Sequence, residues 1–169
     1  TNATVFVMGL GNSEYLRQLV ENTKKKIIIV IYEPSVNIFI YFLEHTPLEE
    51  WMKKHLIVFW VEGLDGMDEE HLESFLESTI HYEMLEYNRV LIVPNYEVLF
   101  QQKAINFMKV CKKIALRGMV QHNTRITFSD TIIKNILYNM PYLCNGYKTT
   151  QLVDVIPRDI PGIVVAAGP

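Results

Sequence analysis

Gly9, Gly11 and Asn12 follow one apolar run, Glu33 closes a second, Glu62 closes a third, and Asn95 follows a fourth. These residue types at these places suit a nucleoside ligand. Two glycines let the chain turn sharply and bring backbone N–H groups close to whatever sits over the next helix N-terminus. A carboxylate at the Glu33 position accepts hydrogen bonds from ribose hydroxyls, and Glu62 at the next run's end can address ribose or adenine of the same ligand. A dinucleotide turn wants a third glycine where this chain has Glu14. That carboxylate would repel a pyrophosphate, so NAD and FAD are disfavoured. S-adenosylmethionine carries no phosphate and tolerates the acid better, so it or a related nucleotide ligand is the class such a site could take, with no cofactor assigned to this stretch of chain. The alternative is an empty domain in which Gly9 and Gly11 only make a tight turn.

No catalytic residue stands out. His45, His55, His71, His81 and His122 lack the spacing of a metal-binding helix, and loop positions at the surface account for His45 and His55. Ser13 lacks the second glycine of a nucleophile elbow, and there is no phosphate-binding P-loop. Glu49-Glu50 and Asp68-Glu69-Glu70 read as helix-start charges. Cys111 and Cys144 are too few for a disulfide framework or a zinc site, and Cys111 reads as a small core residue. Tyr138, Tyr142 and Tyr147 read as packing aromatics. No metal is expected.

The elements that position these residues follow from periodicity. Strands are predicted over Thr4–Met8, Lys26–Glu33, Leu56–Val61 and Val90–Val93. Between them lie helices from Asn12 to Asn22 (burying Tyr15, Leu16, Leu19 and Val20), from a Ser35 cap with Val36, Phe39, Ile40 and Leu43 on one face, over Leu48–Lys54, and onward from Asp68. A long helix from about Val98 to Met119 carries Ala104, Ile105, Met108, Cys111 and Ala115 inward. The alternation predicts an α/β, Rossmann-like, doubly wound and mainly parallel sheet. From Gln121 the pattern changes. Ser129 can cap a separate helix with Ile132, Ile133, Ile136, Leu137 and Met140 on its inner face, ending near Pro141. The expected organisation is a domain over 1–120, a helical C-terminal extension and linker over 121–161, and the first strand of a truncated following domain over 162–169.

A formal net charge of −3 over 169 residues gives no electrostatic case for nucleic acid or an anionic membrane. With no leader or long apolar span, a cytoplasmic setting is the default. The chain lacks an initiator Met and stops after Gly168-Pro169, as an excised piece of a longer protein would.

Gly9-Leu-Gly-Asn-Ser-Glu-Tyr-Leu16, with Ile27-Ile-Ile-Val-Ile-Tyr-Glu-Pro34 and Phe39-Ile-Tyr-Phe-Leu-Glu44, resembles the N-terminal region of the bacterial motility accessory factors. Ile160-Pro-Gly-Ile-Val-Val-Ala-Ala-Gly-Pro169 is similar to the start of that family's central domain, shared with 6-hydroxymethylpterin pyrophosphokinase-like proteins. The resemblance implies a glycosyltransferase that modifies flagellin with nucleotide-activated nonulosonic sugars. It places transfer in the central domain, of which only Gly168 and Pro169 of the nucleotide-site motif are present. The expected partners are the rest of the same chain, flagellin as acceptor, and a second copy in a homo-oligomer.

Overall fold

The structure, a computed structural model, describes residues 3–80 and 87–146. In chain order the elements are β1 (Thr4–Met8), α1 (Glu14–Asn22), β2 (Ile28–Glu33), α2 (Val36–His45), α3 (Leu48–Lys54), β3 (Leu56–Val61), α4 (Leu72–Ser78), β4 (Arg89–Ile92), α5 (Tyr96–Leu99) and α6 (Gln101–Asn145).

The four strands form one parallel sheet in the order β3-β2-β1-β4. Every residue of β1 is buried, and so are five of the six in β2, as expected for central parallel strands covered on both faces. The winding follows from handedness. Steps from β1 to β2 to β3 march in one direction, so right-handed crossovers put α1 to α3 on one face. The step from β3 to β4 jumps back across the sheet, which sends α4 to the other face.

Aromatic packing confirms this division. Tyr32 and Trp60 are register partners on one face; Tyr32 stacks on Phe107 of α6 at 5.7 Å and Trp60 on Phe75 of α4 at 4.6 Å. Phe59 points the opposite way, to Phe39 and Phe42 of α2 at 5.4 and 5.9 Å, and Phe42 continues to Trp51 of α3. Ser35 caps α2 through its Oγ, which accepts from the Ile38 N–H at 3.5 Å.

Several sequence expectations need correction. His55 is buried rather than a surface loop residue. Its Nδ1 accepts from the Ile27 N–H at 3.4 Å, which leaves Nε2 protonated to donate to the Val20 carbonyl at 3.1 Å. The ring thus ties α1 to the start of β2. Tyr15, Ile40, Leu43, Ile105 and Met108 are exposed. In α2 apolar residues surround most of the helix, so period alone does not choose Phe42 as the side chain that enters the core.

The expected break between Met119 and Ser129 is absent: α6 is one helix of 45 residues. The stretch from Gln121 to Phe128 contains neither Gly nor Pro, so its polarity alone does not end a helix. Ser129 caps nothing; its Oγ donates back to the Ile126 carbonyl at 3.1 Å. Pro141 lies inside the helix, not at its end, and the exposed Leu137 carbonyl it leaves unpaired can be solvated. Residues up to Arg125 form one compact unit, and the buried positions of α6 stop at Gly118. From Ile126 to Leu143, Ile132, Ile133, Ile136, Leu137 and Met140 are exposed rather than inward. His81, the linker from Tyr147, the strand over 163–167, and Gly168 with Pro169 lie outside the described residues.

Candidate functional site

Strand order decides where a ligand can reach this sheet. Connections leave β1 toward β2 on one side, while β4 lies on the other, so the loops after β1 and β4 diverge and leave a crevice at their carboxyl ends. The β1 loop holds Gly9, Gly11 and Ser13 at φ of 97°, 54° and 66°. The β4 loop turns through Asn95 at φ 73° into α5.

Tyr96 enters this crevice from the β4 side and occupies the glycine turn. Its ring lies so close that a Cβ on Gly9 would sit 2.6 Å from the ring carbons. Its hydroxyl accepts from the Leu10 N–H at 3.2 Å and the Gly11 N–H at 3.1 Å, and donates to Glu33 Oε2 at 2.7 Å. The Leu10 N–H is shared with the same Oε2 at 2.9 Å, while Glu33 Oε1 accepts from the Ser35 N–H at 2.9 Å. Glu33 is fully buried. Burial pushes its carboxyl above the ordinary range, against the opposing pull of Tyr96, Leu10 and Ser35. Burial, with the carboxylate beside it, also raises the Tyr96 phenol.

The backbone approach that Gly9 permits is therefore used by the protein's own phenol. Outside Tyr96 lies a cleft of about 510 Å³ lined by Gly11 and Asn12 of the β1 loop, Tyr15, residues Asn37 and Tyr41 of α2, and Asn95. Of the residues read from the sequence, Gly11, Asn12 and Asn95 border this cleft. Gly9 and Glu33 lie behind the Tyr96 plug. Glu62 belongs to a different cluster: it accepts from the Tyr32 hydroxyl at 2.6 Å and pairs with Lys103 of α6.

No family model, curated protein or solved structure matches this chain.

Among the described residues no three His, Cys, Asp or Glu side chains could together hold a metal ion. Nor is any helix among them long and apolar enough to cross a membrane. Sequence reasoning missed Tyr96, Asn37 and Tyr41. Tyr96 had one available signal: it directly follows Asn95 in the turn after the fourth strand, the loop that the order 3-2-1-4 brings against the glycine turn.

Proposed function

We propose that this chain is the Rossmann-like N-terminal domain of a flagellin-type protein glycosyltransferase of the motility accessory factor kind, and that it serves in assembly rather than in catalysis. The observation that carries the reading is the exposed apolar stripe of α6. Ile126, Ile133, Ile136, Met140 and Leu143 recur at helical spacing and stand in solvent together with Ile132 and Leu137. A stripe of this extent marks an interaction surface. On this reading its partner is the remainder of the same protein, which carries the transfer chemistry. The Tyr96 plug supports a role without turnover, because the glycine-turn N–H groups and Glu33 are already paired inside the domain.

The test supplies this chain and the separately produced remainder of its parent with an activated nonulosonic sugar and flagellin. The chain alone should transfer no sugar, and it should bind the remainder. The Ile133→Asp, Ile136→Asp double variant should lose that binding while keeping its thermal midpoint. Transfer by the chain alone, or binding indifferent to the two substitutions, overturns the proposal.

A further inference from the structure

The switch-point cleft combines a ligand-sized space with a distinctive donor set. Its volume of about 510 Å³ lies within the range of small-molecule sites, roughly 300–1,000 Å³. Tyr15 and Tyr41, each about half exposed, border the cleft beside the apolar Ile38 and Leu99, and the Tyr41 ring carries His45 stacked on one face at 4.1 Å, leaving the other to a ligand. Three amides border the same space. Asn12 Oδ1 is taken by the Glu14 N–H at 3.3 Å, leaving its NH₂ to donate. The Asn37 and Asn95 side chains have no hydrogen-bond partner among the described residues, so each offers a donor and an acceptor side by side.

The missing features narrow the ligand further. No acidic or basic side chain is among the described residues lining the cleft. The N–H groups of Leu10 and Gly11, which would otherwise suit a phosphate, are held by the Tyr96 hydroxyl. Glu33, which would suit a ribose diol, is sealed behind the same ring. Recognition is left to ring faces and paired amide edges.

We infer that this cleft binds an uncharged planar heterocycle of the nucleobase type, stacked on Tyr15 or Tyr41 and read at its edge by the asparagine amides. Paired donor and acceptor atoms on a carboxamide match the edge of an adenine ring, and base stacking on an aromatic side chain tolerates many rings. The inference does not depend on the assembly role proposed above.

Adenine is the probe. Titrated into isotopically labelled protein, it should give saturable shifts of the Asn12, Asn37 and Asn95 side-chain NH₂ signals. AMP and S-adenosylmethionine should bind no more tightly, because the cleft has nothing to pair with their charges. Tyr15→Ala and Tyr41→Ala alter half-exposed rings and should preserve the fold, as unchanged backbone amide spectra would verify. At least one should weaken adenine roughly tenfold, and its Tyr→Phe counterpart should restore binding. Absence of saturable shifts at millimolar adenine overturns the inference. So do AMP binding tenfold tighter than adenine, or the same shifts produced by glucose.

Discussion

The Tyr96 hydroxyl donates to Glu33 Oε2 at 2.7 Å across 63 residues of chain, joining the loop after β4 to the end of β2. The same oxygen accepts two N–H groups of the glycine turn. One phenol thus makes the contacts that a ligand hydroxyl and an anion would otherwise share.

Removing that oxygen leaves the Gly11 N–H without its partner and Glu33 with one donor fewer. Tyr96→Phe should therefore destabilise the domain by about 1–3 kcal/mol, the cost of an unsatisfied buried polar group. Urea unfolding measures this directly. An unchanged midpoint would mean that water replaces the phenol without loss.

Gly9→Ala meets two obstacles at once: a φ of 97° and a ring 2.6 Å from the new carbon. A cost of roughly 3 kcal/mol is expected. Truncating the ring relieves only the second obstacle, so Gly9→Ala combined with Tyr96→Ala should cost less than the sum of the two. Strict additivity would show that the ring does not press on Gly9.

Glu33 has its carboxyl raised above the ordinary value of 4.5, chiefly by burial. Between that value and the raised one, the native state binds more protons than the unfolded state, so stability falls as pH rises. Glu33's contribution is complete below pH 4.5 and declines above it. Wild type should thus lose stability relative to Glu33→Gln over a pH series that starts at 4.5 and rises, levelling once the carboxyl is ionised. Parallel curves for the two proteins would refute this.

The two thiols should differ sharply. Cys111 is buried, and burial pushes its thiol up to about 12, whereas Cys144 is exposed. A thiol-specific reagent at pH 8 should label Cys144 at once and Cys111 only on unfolding. Rapid labelling of both would place Cys111 outside the core.

A chain ending at residue 125 should fold, because buried positions of α6 end at Gly118 and the unit up to Arg125 is compact by itself. Its thermal midpoint should stay within about 4 °C of the full chain's, the shift that roughly 1 kcal/mol produces at this size. A larger fall would show that the later turns of α6 support the sheet.

The strands were legible because each is an apolar run followed by Gly, Pro or an acid; parallel packing buries the central runs, β1 and β2, on both faces, while the edge strand β4 keeps its apolar character although three of its residues are exposed. The glycine turn was legible for the same local reason. The use of that turn was not. Tyr96 meets Leu10 across 86 residues, a contact set by strand order and visible in no window of sequence. His55 was misread because a ring buried between two backbone groups has the same local sequence as one in a surface loop. The unbroken α6 is not legible because a polar stretch between two apolar ones reads as a stop, although the residues from Gln121 to Phe128 can all continue a helix.

Strand β4 has a consequence for how the cleft comes and goes. Thr4 pairs with Ile28 and Ile28 with Leu56, so β1, β2 and β3 pair over single crossovers carrying α1 or α2 and α3. The β4 side returns to β1 only through contacts such as Thr4 N–H to Asn88 Oδ1, spanning 84 residues, at an extra closure entropy of about 1 kcal/mol. It is also the shortest strand among the described residues, and Arg89, Val90 and Leu91 on it are exposed. Attachment of β4 is therefore the least expensive part of the sheet to release. Asn95 and Tyr96 directly follow β4, so one wall of the crevice depends on this edge staying attached.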